Sequence, residues 1–314
     1  MLDVPILFLI FNRPDVTEVV FAEIKKQRPQ RLYVAADGPR LNREGEISKC
    51  NETRNVVMKN IDWPCEVRTL FRDTNLGCGK AVSEAITWFF NQEEMGMILE
   101  DDCLPTSSFF SFCSSLLKYY KDNEQIFVIP GDNFQKSKVP DSSYYFSAYG
   151  HIWGWASWRR AWKYYNFNLN EFDDHKFKSD LRHYFSTQRE RTYWFNVYSK
   201  MKNHEIDTWD YQWTFAQWSM RALSIIPNVN LVSNIGFNNE GATHTSADTR
   251  GLSNLRRFEM ANIIHATKII QNKKADLFVF DNAYQKNYSG KGIGALLLNP
   301  VYNFIKKLFF VKGN

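Results

Sequence analysis

The first 130 residues alternate short apolar runs with stretches whose apolar positions recur at helical spacing. The runs predict buried strands and the periodic stretches predict helices. The predicted strands are residues 4–11, 31–36, 65–71, 97–99 and 126–130, and the helices begin at Pro14 and near residues 44, 75 and 109. Strands that alternate with helices over short connections are typical of an α/β fold with a mostly parallel, doubly wound sheet and helices on both faces.

The pattern changes after Gly131, where aromatic residues become dense over residues 144–165. Trp155, Trp158 and Trp162 fall at helical spacing, so we expect one helix that packs them into the core. Trp153 and Trp155 lie beside glycines that allow close backbone approach, so these two are the tryptophans we expect to contact a sugar. Further helices are predicted over about 179–201 and 209–222, with one or two strands in 224–235 and a loop over 236–250.

Three consecutive carboxylates, Glu100, Asp101 and Asp102, follow the fourth predicted strand directly. Open α/β sheets bind their ligands at the carboxyl ends of strands. Like charges this close are costly unless a cation or hydrogen-bond donors compensate them. Mn²⁺ or Mg²⁺ would do so, held through one or two carboxylates with substrate phosphates completing its shell. The alternative is a solvated acidic turn.

Composition excludes several classes of protein. The chain has 314 residues and is 44% hydrophobic and 16% aromatic, which is enough for a large core. Its five cysteines form no CxxC pair, which favours reduced thiols in the cytoplasm over disulfides or a zinc site. We expect no signal peptide and no membrane span, because every apolar stretch is too short. No GxGxxG or GxxxxGK[ST] follows a strand, so a dinucleotide-binding or P-loop enzyme is not predicted.

The net charge of +5 is concentrated near the C-terminus. Residues 251–314 hold 10 Lys/Arg against 3 Asp/Glu, or +7, which leaves 29 against 31, or −2, for the rest. This uneven distribution of charge predicts that residues 251–314 bind an anionic partner. It does not predict binding of nucleic acid. Residues 294–312 combine apolar and basic side chains, so we expect them to contact a membrane surface. The alternative is a terminal helix that docks on the body with its lysines solvated.

Several motifs together resemble the GT-A class of nucleotide-sugar glycosyltransferases. They are Asp-Gly at 37–38 after the second strand, Asn-Leu-Gly at 75–77 before a helix, and Glu-Asp-Asp at 100–102, which is similar to the DxD-type metal motif in its EDD form. The pattern is most similar to N-acetylglucosaminyltransferases acting on protein-linked mannose, which pair EDD with a later Gly-Trp segment, here 154–155. The resemblance covers about residues 4–245 and implies a GT-A-like fold.

The resemblance also implies roles for individual residues. Asp102 would bind the metal that bridges the nucleotide diphosphate, and Asp101 would contact the ribose or the metal's water. Asp37 would bind the base or ribose, and Asp210 would be the catalytic base. The other candidates for contact with the nucleotide sugar are Arg13, Trp155, Thr243 and His244.

Simpler alternatives exist for several of these residues. Asp37 lies in Asp-Gly-Pro, which is ordinary turn chemistry. Asp210 or Thr208 could cap a helix. His244 could be structural or merely exposed, and Arg13 could be a surface charge. Each alternative predicts a side chain that makes local contacts and meets no ligand.

These observations predict a metal-dependent glycosyltransferase that uses a nucleoside diphosphate sugar, with UDP favoured, and a glycan or lipid-linked acceptor. Residues 1–250 would form one GT-A-like domain, with a nucleotide-binding half (1–130) and an acceptor half (131–250), and 251–314 a basic extension. The enzyme would be cytoplasmic and peripheral on the inner face of the membrane. A sugar nucleotidyltransferase is an alternative, but the segment after the first strand lacks the Gly-rich, basic loop expected of one. A non-catalytic carbohydrate-binding protein is the other alternative.

Overall fold

The structure is a computed structural model that describes residues 1–136, 142–170, 173–203, 205–206, 208–237, 252 and 255–285. Its first half alternates strands and helices, as the apolar runs predict. In chain order the elements are β1 (Ile6–Ile10), α1 (Pro14–Gln27), β2 (Arg31–Ala36), α2 (Glu46–Lys59), β3 (Glu66–Phe71), α3 (Cys78–Phe90), β4 (Met95–Glu100), β5 (Cys103–Pro105), α4 (Ser107–Tyr119) and β6 (Ile126–Pro130). All five predicted strands are confirmed, and β5 is an addition.

The second half is more irregular. Its elements are β7 (Tyr144–Ser147), β8 (Trp155–Trp158), α5 (Arg159–Trp162), α6 (Asp174–Tyr184), α7 (Gln188–Lys202), α8 (Asp210–Ser219), β9 (Leu223–Pro227), β10 (Val232–Asn234) and α9 (Lys273–Val279), followed by a π-helical turn (Phe280–Tyr284). The predicted helix over 179–201 is two helices, because Phe185 and Thr187 adopt extended backbone between them.

Eight strands form one central sheet in the order β3-β2-β1-β4-β8-β6-β9-β7. Neighbouring strands from β3 to β4 are parallel, and so are β6 and β9. Strands β8 and β7 run antiparallel to their neighbours. The predicted fold class, an α/β protein with a mostly parallel sheet, is therefore confirmed.

Helices cover both faces of this sheet. Along β1 the side chains alternate, so that Phe8 packs into one buried cluster and Leu7 into another. The Phe8 cluster includes residues of α1 and α4, whereas the Leu7 cluster includes residues of α3 and α8. Burial on both faces explains why β1 is apolar along its whole length.

The predicted tryptophan helix is wrong in its first half. Trp155 and Trp158 lie on β8 and project to opposite faces of the sheet, into the Leu7 cluster and the Phe8 cluster respectively. Only Trp162 is helical, in the short α5. The three residues are buried as predicted, but a strand's period of two, not a helix's 3.6, decides which neighbours they meet.

Residues 255–285 pack on the body as an extended strap that ends in α9. The Glu259 carboxylate accepts hydrogen bonds from the backbone N–H groups of Ser107 (3.3 Å) and Ser108 (2.8 Å) and so caps α4. Farther along, the buried Asp276 accepts hydrogen bonds from Ser147 Oγ and Ala148 N. Among the described helices, none is long and apolar enough to cross a membrane. Residues 294–312, predicted to contact a membrane surface, lie outside the described residues.

Candidate functional site

The sheet has a topological switch point between β1 and β4, near its middle. From β1 the chain continues to β2 and β3 on one side of the sheet, whereas β4 lies on the opposite side of β1. In open α/β sheets such a switch point leaves a crevice at the carboxyl ends of the two strands, where ligands bind. Arg13 follows β1 and the cluster of residues 100–102 ends β4, so the candidates predicted from sequence meet at this crevice.

Arg13 is held between the two aspartates. Its Nη2 and Nε bind the two oxygens of Asp101, the latter at 3.4 Å, and its Nη1 donates to Asp102 Oδ2 at 3.2 Å. The Arg13 side chain is only 13% exposed. Burial by itself would lower the pKa of the guanidinium, but the charges of Asp101 and Asp102 raise it overall. Arg13 is therefore the counter-ion of the cluster and not a free surface charge.

The acidic cluster is buried, which excludes the solvated turn. Asp101 is 3% exposed and Asp102 is 7% exposed. Burial, together with the charges of Asp102 and Asp101, raises the pKa of Glu100 to about 8. Burial also raises the pKa of Asp101, and Arg13 opposes this shift. The raised pKa values reflect three carboxyl groups placed beside one guanidinium, an imbalance that binding of a further cation would relieve.

The donor atoms fit a metal ion that a nucleotide helps to bind. Among the described residues, no three His, Cys, Asp or Glu side chains form a complete ligand set. Both oxygens of Asp101 accept from Arg13, whereas Asp102 Oδ1 accepts, within the part of the chain that the structure describes, only from the Cys103 thiol at 3.5 Å. Asp102 Oδ1 is therefore the oxygen most open to a metal. One carboxylate is enough where phosphates and water supply the other ligands, as is usual for Mg²⁺.

A segment that the sequence did not single out closes over Asp102. Ile235, just after β10, donates its backbone N–H to the Asp102 carbonyl at 2.8 Å. At Gly236 a Cβ would lie 2.2 Å from Asp102 Oδ2 and 2.9 Å from Arg13 Nη1. Only glycine lets the backbone come this close to the carboxylate. The contact joins residues far apart in sequence, so local pattern could not indicate it.

Asp37 follows β2 and is bound to the loop before α3. Its carboxylate accepts from the backbone N–H groups of Gly38 (2.9 Å) and Leu76 (3.1 Å). Burial raises the pKa of Asp37, and these N–H donors counteract the shift. Asn75 donates to the Gly38 carbonyl at 2.8 Å. The turn-forming role of Asp37 is thus present, and the residue also lies at the same sheet edge as Arg13.

A buried carboxylate that sequence reasoning missed supports the loop after β1. Glu46 Oε1 accepts from Asn12 Nδ2 at 2.9 Å, and the same carboxylate binds the Arg40 guanidinium and backbone N–H. Glu46 is only 5% exposed. Glu46 begins α2, whose mostly polar sequence contains no signal of this burial. This contact fixes the residue immediately before Arg13.

Asp210 is the first residue of α8 and is partly exposed. Its Oδ1 accepts from Thr208 Oγ1 and from the Tyr211 backbone N–H, the latter at 2.9 Å. The N-cap of α8 is Trp209, which makes no side-chain capping hydrogen bond, so neither Thr208 nor Asp210 is the cap and Asp210 makes local contacts in the first turn. The negative charge of Asp210 also contributes to the raised pKa of Glu100. Asp210 therefore lies close enough to interact electrostatically with the acidic cluster.

Trp155 does not line the crevice. It has no exposed surface, and its ring stacks on Trp209 at 5.9 Å within the core. Direct contact with a sugar would require that core to open. The neighbouring Trp153 is half-exposed and packs edge-on against Phe237 at 5.7 Å, so it is the better candidate of the two. Thr243 and His244, the other predicted contacts, lie outside the described residues.

No family model and no curated protein matches this chain. The chain is similar to solved structures at low identity. A UDP-glucose pyrophosphorylase complexed with UDP-glucose is 10% identical over 72% of this chain and 90% of that one, with a TM-score of 0.36. A 4-diphosphocytidyl-2C-methyl-D-erythritol synthase from Anaerococcus prevotii is 11% identical over 62% and 98%, with a TM-score of 0.34. HddC from Yersinia pseudotuberculosis is 10% identical over 50% and 78%, with a TM-score of 0.31. Similarity this distant gives no basis for assigning a function.

Proposed function

We propose that this protein is a glycosyltransferase that moves a sugar from a nucleoside diphosphate, with UDP favoured, to an acceptor hydroxyl on a glycan or a lipid-linked carrier. The observation that carries the proposal is the meeting of Arg13, Asp101 and Asp102 at the switch point of the sheet. The resemblance of Glu100-Asp101-Asp102 to the EDD motif of GT-A enzymes supports the same function. The excess negative charge and the open Asp102 Oδ1 suit Mn²⁺ or Mg²⁺.

The crevice would divide the work among its residues. A divalent ion bound there would neutralise charge that develops on the diphosphate leaving group. Asp102 would hold that ion, and Arg13 would keep Asp101 and Asp102 in place. Asp37 would contact the base or ribose. Asp210 would accept the proton of the acceptor hydroxyl as its oxygen attacks C1 from the face opposite the leaving group, which inverts the anomeric centre.

A sugar nucleotidyltransferase is the main alternative, because it would use similar metal-binding acids. The segment after β1 argues against it. Pro14 occupies the first position of α1, and the preceding residues include no glycine, so the segment is not a Gly-rich phosphate loop. The products distinguish the two enzymes, since a glycosyltransferase releases a nucleoside diphosphate and a nucleotidyltransferase releases pyrophosphate.

The test combines binding and product analysis. Calorimetry with a panel of nucleotide sugars, with Mn²⁺ or with EDTA, should find a donor whose binding requires the metal. Asp102→Asn should weaken that binding at least about tenfold, since even an outer-shell partner of a metal contributes that much. Asp122→Asn is the matched control, because the Asp122 side chain is 87% exposed in a remote turn.

Two outcomes would contradict the proposal. Release of pyrophosphate from a nucleoside triphosphate and a sugar 1-phosphate would identify a nucleotidyltransferase. Glycan binding that depends on neither metal nor nucleotide, and that Asp102→Asn leaves unchanged, would identify a non-catalytic carbohydrate-binding protein.

A further inference from the structure

Two ionisable side chains outside the acidic cluster are buried near the same edge of the sheet. Asp132 follows β6 and has no exposed surface, and His151 precedes β8 and is 4% exposed. Asp132 Oδ2 and His151 Nδ1 lie 2.9 Å apart. Because β8 runs antiparallel between β4 and β6, its first residue lies at the carboxyl ends of both strands. The Asp132–His151 pair therefore belongs to the edge that carries the candidate site.

The pair lacks hydrogen-bond partners within the described part of the chain. Its 2.9 Å contact does not have the alignment of a hydrogen bond, and neither the Asp132 oxygens nor the His151 nitrogens have another partner there. Burial of such groups without hydrogen bonds costs free energy. Nearly all buried polar groups in folded proteins are satisfied. The pair therefore retains hydrogen-bonding capacity that a buried water or a ligand hydroxyl could use.

Three aromatic rings extend from the pair toward the acidic cluster, and we call them the aromatic wall: Phe134, Trp153 and Phe237. The Phe134 ring stacks on the imidazole of His151, with ring centroids 4.3 Å apart. Trp153 packs edge-on against Phe134 at 5.3 Å and against Phe237 at 5.7 Å. All three residues are partly buried, so each of them keeps some exposed surface that a ligand could contact.

The aromatic wall reaches the residues of the candidate metal site. Phe237 follows Gly236, whose backbone lies against the carboxylate of Asp102. A chain of ring contacts thus links the buried pair to the neighbourhood of Asp102. Ligand sites commonly combine aromatic faces with a few fixed polar groups.

We propose that the aromatic wall and the Asp132–His151 pair form a subsite for a pyranose ring, the sugar of the acceptor that receives the transferred group. The sugar ring would lie against the aromatic wall. One hydroxyl would hydrogen-bond to the buried pair as the Phe134 ring, which covers the His151 imidazole, moves aside. A hydroxyl both donates and accepts, so it suits an imidazole beside a carboxylate. An anionic ligand would be repelled by Asp132. The assignment of this sugar as the acceptor rests on the proposed function; the binding of a pyranose does not.

Fluorine NMR of protein labelled with 5-fluorotryptophan tests the subsite directly. The Trp153 resonance is identified as the one missing in Trp153→Phe. The probes are methyl α-mannoside, methyl β-glucoside, methyl β-galactoside and methyl β-N-acetylglucosaminide, each titrated with and without UDP and Mn²⁺. At least one probe should shift the Trp153 resonance in a saturable way.

Variants of His151 test the role of the pair. His151→Ala should weaken that probe about tenfold, the usual effect of losing one hydrogen bond, and His151→Gln should retain part of the affinity. His175→Gln is the matched control, since His175 is exposed on α6, and it should bind as the wild type does. Binding of UDP with Mn²⁺ should be unchanged in all three variants.

The subsite would be overturned if no probe shifted the Trp153 resonance, or if His151→Ala bound the probe as tightly as the wild type. Equal loss of probe binding and UDP binding in both His151 variants would also overturn it, because His151 would then have a structural role only. Failure of the proposed function gives a different result. In that case the probes still shift Trp153, but UDP and nucleotide sugars do not bind.

Discussion

Removal of Arg13 should destabilise the fold strongly, because it leaves two buried carboxylates without their counter-ion. Arg13 is 13% exposed and makes three hydrogen bonds, to Asp101 and Asp102, whose side chains are 5% and 10% exposed. Truncating one partner of a buried ion pair typically costs about 3–5 kcal/mol. We expect Arg13→Ala to lower the free energy of unfolding by about that amount at pH 7.

Urea denaturation followed by far-UV circular dichroism measures this free energy. Arg189→Ala is the matched control, because Arg189 and its partner Asp281 are 50% and 41% exposed. Exposed pairs contribute about 1 kcal/mol or less, so the control should remain close to the wild type. The double variant Arg13→Ala/Asp101→Asn should recover about 1 kcal/mol or more relative to Arg13→Ala, since it carries one fewer buried charge.

If Arg13→Ala lowers the free energy of unfolding no more than Arg189→Ala does, Arg13 is not the counter-ion that stabilises the buried cluster. The same conclusion follows if the double variant is less stable than Arg13→Ala alone, because neutralising an uncompensated carboxylate must help. Either result would mean that water or flexibility relieves Asp101 and Asp102 at no measurable cost.

Three further predictions test other parts of the molecule. Gly236→Ala should weaken nucleotide-sugar binding in calorimetry, because the added Cβ displaces the Asp102 carboxylate; unchanged affinity would contradict the contact. Burial raises the pKa of Asp276 to about 6, so the folded state binds this proton more tightly, and stability should fall by about 2 kcal/mol from pH 4.5 to 7. Glu100, with its pKa of about 8, contributes a fall of the same sign, so urea denaturation should show a fall that is about 2 kcal/mol smaller in Asp276→Asn than in the wild type; an identical pH profile in both would refute it. If residues 294–312 contact membranes, the full chain should float with anionic liposomes and a 1–290 truncation should not; equal flotation would exclude the idea.

The local pattern of apolar residues was sufficient to predict the sheet, because the central strands are buried on both faces. The unbroken apolar run of β1, followed by the helical stripe of α1, has no competing interpretation. The cluster at residues 100–102 was also visible, since three acids directly after an apolar run are unusual. By contrast, Trp155 and Trp158 are spaced as in a helix but lie on a strand, because tertiary contacts determined their backbone conformation.

The missing parts of the site depend on contacts between distant residues. Gly236 lies against Asp102 because β10 pairs with β5, a short strand that the apolar pattern did not indicate. Asp132 and His151 meet because β8 lies between β4 and β6, an order that no local motif encodes. The sequence therefore predicts which residues carry charge after a strand, and the topology determines which of them meet.

Anomalous diffraction at the manganese edge, from crystals soaked with Mn²⁺ and UDP, tests whether Asp102 holds the metal. We expect one strong peak coordinated by the Asp102 carboxylate, with the diphosphate between that peak and Arg13. Bound UDP with no manganese at Asp102, or manganese at another site only, would contradict it.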